Sequence, residues 1–168
     1  MKLSNFEVAQ QININNTNLF LNGAAIRTKF FIDTYIISLY LQKSTTNEHE
    51  ILTSTDAKVL RMQLITPLAT PKAVSDNLSD GMKNGLGKLY YEYKSTVEAI
   101  QEAVIQSAVK YKDSIDIYSN KNELQLYKNN ELFLTLNDCQ LIADTIFNIY
   151  LGNPPKDKKI KQLLLKGF

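Results

Sequence analysis

The sequence has very few of the residues that build covalent cross-links and metal sites. It contains one cysteine and one histidine among 168 residues. A single cysteine excludes an intramolecular disulfide framework, and the two residues together are too few for a Cys/His zinc site. We therefore predict neither a zinc site nor any other cofactor.

Long apolar runs and a strong charge of one sign are also lacking. A membrane span needs about 18 consecutive apolar residues, whereas residues 35–41 are among the longest apolar runs here. Nineteen basic and 17 acidic residues leave a net charge of +2. This balance is not that of a dedicated nucleic-acid-binding protein, so we predict no nucleic-acid partner. With 44% hydrophobic residues, the length predicts one globular domain over residues 1–168.

Neither end of the chain carries a clear targeting or binding signal. The start, MKLSNF, lacks the features of a secretory signal, so the protein is either cytoplasmic or a mature form with an added Met. Residues 156–166 contain five lysines. However, Ile160, Leu163 and Leu164 fall on one side of a helix, which favours a solvated amphipathic helix over a nucleic-acid or membrane patch.

Hydrophobic periodicity predicts strands and helices in successive groups. The Asn-rich residues 12–26 predict short strands with a hairpin turn at Asn22-Gly23. Residues 27–41 are rich in β-branched and aromatic side chains and predict one long strand with a bend near Asp33. Further strands are predicted over residues 58–65, 114–118, 123–127 and 131–135, the last three as an antiparallel meander.

Capping residues and 3.6-residue periodicity predict the helices. Thr70-Pro71 begins one that ends near Gly85 and Gly87. The others are predicted over 47–55 (short helix or loop), 94–109, from Asn137 or Asp138 to Gly152, and after Pro154-Pro155. The order of elements predicts an α+β domain, an antiparallel sheet with helices packed on one face.

The candidate phosphate-binding and catalytic motifs of this sequence lack features that such sites require. Gly87-Lys88 resembles part of a phosphate-binding P-loop. However, it lacks the glycine that should precede it by five residues and the Ser or Thr that should follow it. His49 lies in a polar stretch, a poor place for a catalytic histidine. Cys139 begins a predicted helix, where the helix dipole would lower its thiol pKa, although a small core residue is the commoner role.

Arg27 is the charged residue that most needs an explanation. It lies in an apolar segment between Ile26 and Phe30, and a buried unpaired charge is costly. Its partner is either a carboxylate of the chain, such as Asp33, or the carboxylate of a ligand held by the guanidinium group. The residues alone favour a carboxylate of the chain, but they do not exclude the carboxylate of a ligand.

Several segments resemble the chalcone-isomerase-like family. Residues 21–31 (LNGAAIRTKFF) and 35–41 (YIISLYL) are similar to its opening block, and residues 146–155 (IFNIYLGNPP) to its closing block. Residues 65–68 (ITPL) before a helix are a third match. The resemblance covers residues 12–167. It implies an open-faced β-sandwich, a large antiparallel sheet with helices over one face and a ligand cleft between them.

The resemblance also implies where the site lies. The plant isomerases use an arginine, a threonine, a tyrosine and an asparagine, and the matching positions here are Arg27, Tyr35, Ala73 and Asp80. Three of these four have changed, and Ala73 has no side-chain hydrogen-bonding group. We therefore do not expect chalcone isomerisation. Arg27 and Tyr35 are similar to the pair with which fatty-acid-binding members hold a carboxylate.

The pair can share a ligand only under one geometric condition. In a single straight strand the two residues would lie about 26 Å apart, at roughly 3.3 Å per residue. The chain must therefore bend or turn between Arg27 and Tyr35.

Three hypotheses about function follow. The first is a non-catalytic binder of a fatty acid or similar small amphipathic carboxylate, with Arg27 and Tyr35 as ligand-binding residues. The second is an isomerase or intramolecular lyase on another substrate, with Arg27 stabilising an oxyanion. The third is a scaffold whose cleft is filled and which acts through a protein partner. Bacterial members of the family commonly carry an export signal, so the resemblance implies a mature periplasmic form. The oligomeric state stays open.

Overall fold

The computed structural model describes residues 1–167, and its central element is one curled antiparallel sheet of seven strands. A small hairpin, β1 (Lys2–Leu3) and β2 (Phe6–Glu7), precedes it. The order of the seven strands in the sheet follows the sequence. They are β3 (Gln11–Ile14), β4 (Thr17–Lys29), β5 (Ile32–Leu41), β6 (Lys58–Leu64), β7 (Ser114–Asn120), β8 (Glu123–Lys128) and β9 (Glu131–Leu136).

In the described part of the chain, five α-helices pack on one side of the sheet. They are α1 (Glu48–Thr53), α2 (Pro71–Leu86), α3 (Tyr90–Gln106), α4 (Gln140–Leu151) and α5 (Lys158–Leu164). The predicted α+β class, with helices over one face of a large antiparallel sheet, is confirmed. Within residues 1–167, none of the helices has the length and apolar character needed to cross a bilayer.

The alternation of side chains along β5 separates two apolar clusters. Tyr35, Ile37 and Leu39 are buried against the helices. Ile36 and Tyr40 are buried on the opposite face. This division agrees with the two faces that the period-two pattern predicts for a strand.

The opposite face is closed by the N-terminal segment and by the curl of the sheet. Val8, Ile12 and Ile14 belong to the cluster on this face. The turn after β3 reaches across to β8, where the Asn15 side-chain amide donates to Gln125 Oε1 at 2.6 Å. Hydrogen bonding between the third and eighth strands requires strong curvature, so the sheet resembles half of a barrel.

Asn22-Gly23 is not a hairpin turn, and that prediction is wrong. Both residues lie inside β4, where Asn22 is fully buried. The Asn22 side-chain amide donates to the Leu164 carbonyl at 2.8 Å, and its oxygen accepts from Ser44 and Thr45. The last carbonyls of a helix have no partner within the helix. Asn22 therefore fixes the end of α5 onto the strand.

Residues 27–41 do not form one strand, which corrects the second prediction for this region. The chain reverses at Phe30-Phe31, and both residues have positive φ, 50° and 63°. Lys29 pairs with Ile32 across this two-residue turn. Bulky residues rarely adopt such φ values, at a cost of about 1–2 kcal/mol each. The strand-like composition concealed the turn because Asn or Gly normally marks it.

Two helix starts also differ from the predictions. α3 begins at Tyr90, four residues before the predicted Lys94, because a 3₁₀ turn at Gly87–Leu89 leads directly into it. α4 is preceded by Cys139, which makes no side-chain capping bond, instead of Asn137 or Asp138. Gly85 lies within α2, and Gly87 ends that helix as predicted.

The contact between α5 and β4 yields a testable prediction. A Cβ atom added to Gly23 would lie 2.2 Å from the Leu163 carbonyl oxygen and 2.5 Å from that of Leu164. Gly23→Ala must displace the helix, and we expect a loss of about 1–3 kcal/mol in the free energy of unfolding, measured by urea denaturation. Asn18→Ala, at an exposed position of the same strand, should change it by less than about 0.5 kcal/mol. Equal stability of the two variants would contradict this packing.

Candidate functional site

A cavity opens between the sheet and the helices beside the β4–β5 turn. It encloses about 460 Å³, within the roughly 300–1,000 Å³ typical of small-ligand sites. β4, β5, β6, α2 and the segment before α5 contribute its walls. The lining residues are Arg27, Lys29, Phe30, Ile32, Thr34, Tyr35, Met62, Leu64, Thr66, Leu68, Ala69, Ala73, Val74, Asn77 and Lys156.

The β4–β5 turn brings the two predicted site residues together. Arg27 on β4 pairs directly with Tyr35 on β5, and directly opposed residues of antiparallel strands have Cα atoms about 4.5–5.5 Å apart. Thr34 is the extra residue of a bulge at this point, and its hydroxyl donates to the Arg27 carbonyl at 2.8 Å. The geometric condition for a shared site is therefore met, and both side chains line the cavity.

The ion-pair partner of Arg27 is Asp157, not Asp33. Arg27 Nη1 donates to Asp157 Oδ2 at 3.0 Å, whereas Asp33 accepts from the Thr28 hydroxyl. The other Asp157 oxygen accepts from the Lys159 and Ile160 amides and caps α5. The favoured interpretation, a carboxylate of the chain, is therefore confirmed, but the residue is not Asp33, because a partner 130 residues away in sequence carries no local signal.

Tyr35 belongs to a buried hydrogen-bonded group at the inner end of the site. Its hydroxyl lies 3.0 Å from that of Tyr150 on α4, and the Asn77 amide donates to it at 3.5 Å. Burial raises the pKa of Tyr35 above its ordinary value of 10.0 and raises that of Tyr150 further. Both phenols are therefore neutral near pH 7, and one of the two hydroxyl protons is used in the bond between them. When Tyr150 donates, the Tyr35 proton is free for a ligand in the cavity.

Lys156 is a site residue that the sequence analysis missed. It follows Pro154-Pro155, and its ammonium group donates to Asn77 Oδ1 at 2.8 Å. Partial desolvation, followed by repulsion from Arg27 and Lys29, lowers the pKa of Lys156. The lysine-rich composition of residues 156–166 predicted only a solvated helix, but Lys156 precedes α5 and lines the cavity.

Asn77 is the second missed residue. The resemblance pointed to Ala73 and Asp80 on α2, and of these only Ala73 lines the cavity. Ala73, Val74 and Asn77 share one helix face by their spacing of three and four residues. That periodicity, counted from Ala73, was the available signal for Asn77.

The remaining candidates lie outside this site. His49 is an exposed residue in the first turn of α1. Cys139 is buried, and burial raises the pKa of its thiol, so it lacks the character of a reactive thiolate. Within the described part of the chain, no cluster of three or more His, Cys, Asp or Glu side chains is arranged to hold a metal ion.

Comparison with known proteins gives the same assignment as the fold. The model of the family described as chalcone isomerase-like matches residues 1–166. This chain belongs to the chalcone isomerase-like family. A comparison with curated protein sequences finds no significant match.

The structure of this chalcone isomerase-like protein is similar to that of a plant protein. The crystal structure of an Arabidopsis thaliana fatty-acid binding protein superposes with a TM-score of 0.78 at 14% sequence identity. The match covers 96% of this chain and 92% of the plant chain. At this identity, the likeness establishes the shared fold.

The tyrosine pair of this chalcone isomerase-like protein yields a second prediction. Tyr35→Phe removes the hydroxyl beside Tyr150, and Tyr150→Phe does the converse. Because a buried polar group left without its partner costs about 1–3 kcal/mol, each variant should lose that much stability. The double variant removes both hydroxyls, and its loss of stability should be smaller than the sum of the losses in the two single variants. A double-mutant cycle in urea measures this coupling, and additive losses would contradict the bond.

Proposed function

We propose that this protein binds a fatty acid or a similar amphipathic carboxylate in the cavity, without catalysing its conversion. The observation that carries this proposal is the composition of the cavity, which combines an apolar wall with three cationic groups and a phenol. A carboxylate needs charged or polar donors, and an acyl chain needs apolar surface. Both are present in one cavity.

The carboxylate end is assigned to Arg27, Lys156 and the Tyr35–Asn77 pair. Arg27 has five donors in a planar fork, and one of them bonds Asp157. Lys156 already bonds a neutral amide at Asn77, which an anionic ligand would replace with a stronger partner. Neutral Tyr35 supplies an uncharged donor beside the two cations.

The acyl chain is assigned to the apolar wall between β6 and α2. Met62 and Leu64 project from β6, and Val74 projects from α2. All three line the cavity, so they form an apolar wall against which an acyl chain can pack. Transfer of such a chain from water gains about 0.8 kcal/mol per buried CH₂ group.

The side chains of the site favour binding over catalysis. A phenol with a raised pKa donates a hydrogen bond and is a poor proton acceptor near pH 7. Ala73 provides no polar group on α2. The scaffold hypothesis requires a filled cleft, whereas this cleft encloses about 460 Å³. The Arabidopsis fatty-acid binding protein, which has the same fold, supports the proposal by analogy.

The first test compares lauric acid with its alcohol, which has the same chain and no carboxylate. Arg27→Ala should weaken lauric acid binding by about ten- to one-hundred-fold, because a charge-assisted hydrogen bond is worth about 1.5–3 kcal/mol. Dodecanol binding should change less than about three-fold. Isothermal titration calorimetry measures both affinities.

Asp157→Asn is a control that should change the affinity for lauric acid in the opposite direction to Arg27→Ala. Asn caps helices as well as Asp, so α5 should keep its start while Arg27 loses its competing carboxylate. We expect lauric acid to bind more tightly to this variant than to the wild type. Equal loss of acid and alcohol in Arg27→Ala, or no acid binding by the wild type, would contradict the proposed site.

The lowered pKa of Lys156 predicts a pH dependence of binding. A carboxylate binds the protonated ammonium better than the neutral amine, so affinity should fall as pH rises through this pKa, which lies below the ordinary 10.5. The raised pKa of Tyr35 keeps its proton in place there. Binding in this window should be accompanied by proton uptake, measured by calorimetry in two buffers of different ionisation enthalpy.

Lys156→Arg is the matched control for this effect. Arginine keeps a positive charge at every pH used, so the variant should bind lauric acid with little dependence on pH between 7 and 10. An identical decline in the wild type and in Lys156→Arg would assign the titration to another group.

A further inference from the structure

The turn between β4 and β5 projects the most exposed apolar side chains of the described residues. We define the hairpin tip as residues 29–32. Phe30 is 83% exposed, Phe31 is fully exposed at 103%, and Ile32 is 41% exposed. Neither aromatic residue of the turn belongs to the two buried clusters, so the folding of this chain does not account for their apolar character.

Other turns of the same sheet show what this position would ordinarily contain. The β3–β4 turn has Asn15-Asn16 and the β8–β9 turn has Asn129-Asn130, all with positive φ. Asn tolerates that region because its short side chain bonds the local backbone. Phe30 and Phe31 adopt the same region without this compensation. Two strained and exposed aromatics at a turn that accepts Asn indicate a role for their side chains outside the fold.

The hairpin tip lies at the mouth of the cavity. Phe30 and Ile32 both line it, as does Leu68 on the segment between β6 and α2. Leu68 is itself 67% exposed. The apolar surface is therefore continuous from the hairpin tip, past Leu68, into the wall of the cavity.

Cationic groups accompany this apolar surface. Lys29 Nζ lies 5.6 Å from the centre of the Phe30 ring. Among residues 1–167, the charged side chains that line the cavity are Arg27, Lys29 and Lys156, and all three are positive. Of the two carboxylates nearby, Asp157 pairs with Arg27, whereas Asp33 accepts from the Thr28 hydroxyl and keeps its negative charge. Lys29 and Lys156 therefore leave this region with one positive charge in excess. Exposed aromatics beside lysines complement the surface of a bilayer that contains anionic lipid.

We propose that the hairpin tip inserts into the headgroup region of an anionic phospholipid bilayer. Phe30 and Phe31 enter the interface, Lys29 contacts lipid phosphate, and the cavity mouth faces the membrane. This docking does not depend on which ligand the cavity holds. The entry of a fatty acid directly from the bilayer rests on the proposed function.

The test measures partitioning of the purified protein onto vesicles by sedimentation. Vesicles of phosphatidylcholine alone are compared with vesicles that also contain phosphatidylglycerol. We expect wild-type protein to bind the anionic vesicles, and to bind them less at high salt. Phe31→Gly should reduce partitioning by about ten-fold or more, because a fully exposed phenylalanine side chain is lost. Tyr91→Ser, which removes another 83% exposed aromatic on α3, is the matched control and should partition like the wild type.

Two further measurements separate docking from folding and from ligand binding. Glycine suits the positive φ of residue 31, so Phe31→Gly should unfold at the same temperature as the wild type or higher. The double variant Phe30→Asn/Phe31→Gly has the preferred turn sequence and should abolish vesicle binding while the melting temperature rises. Phe31 does not line the cavity, so Phe31→Gly should bind lauric acid in solution as the wild type does.

Three outcomes would overturn the proposal. These are no partitioning of the wild type onto anionic vesicles, full partitioning of the double variant, or self-association of the wild type through the tip without vesicle binding. Partitioning without lauric acid binding would reject the proposed function and retain the docking. Lauric acid binding without partitioning onto vesicles would reject the docking and retain the proposed function.

Discussion

The register of the β4–β5 hairpin is the constraint on which the site depends. A two-residue turn at Phe30-Phe31, together with the bulge at Thr34, places Arg27 directly opposite Tyr35. A shift of one residue would move a side chain to the opposite face of the sheet. Arg27 and Tyr35 would then no longer share the cavity. The same turn produces the exposed hairpin tip, so the location of the cavity mouth and the positions of Arg27 and Tyr35 follow from one local feature.

The C-terminal segment completes the site from the other side. Asn22 and Gly23 on β4 accept the end of α5, Asn22 by bonding the Leu164 carbonyl and Gly23 by having no side chain. With the end of the helix fixed there, its start lies beside Arg27, where Asp157 caps the helix and pairs with the arginine. Lys156 immediately precedes this cap and faces Asn77.

Asp157 has a second consequence for the cavity. It holds Arg27 in place and offsets its charge, so the arginine is oriented before a ligand arrives. An incoming carboxylate must therefore use the remaining donors of Arg27 or compete for the occupied one. This arrangement favours reversible binding, in which Lys156 and Asn77 contribute a second point of attachment.

The sequence predicted the fold class because the order of strands and helices follows from local periodicity. Arg27 and Tyr35, the predicted ligand-binding residues, both line the cavity, and their role in binding stays a prediction. The expected carboxylate partner of Arg27 is present, but it is Asp157 and not Asp33. Asn22-Gly23 was misassigned because a pattern typical of turns serves here to accept a helix end, which is a long-range contact. Phe30-Phe31 was missed for the opposite reason, since a turn is built from residues typical of strands.

Other site residues depend on contacts that no local pattern contains. Lys156 reaches Asn77 across 79 residues, and Tyr35 reaches Tyr150 across 115. Family resemblance located the helix that carries Asn77 but pointed to Asp80, one turn away. The periplasmic location implied by that resemblance stays a prediction.

The most direct test of this account is a crystal structure of the protein with lauric acid. We predict electron density for the acid in the cavity, with its carboxylate within hydrogen-bonding distance of Arg27 and Lys156. The acyl chain should lie along Met62, Leu64 and Val74. An acid bound elsewhere, or bound with its carboxylate away from both cations, would contradict the central claim that this cavity is a carboxylate-binding site.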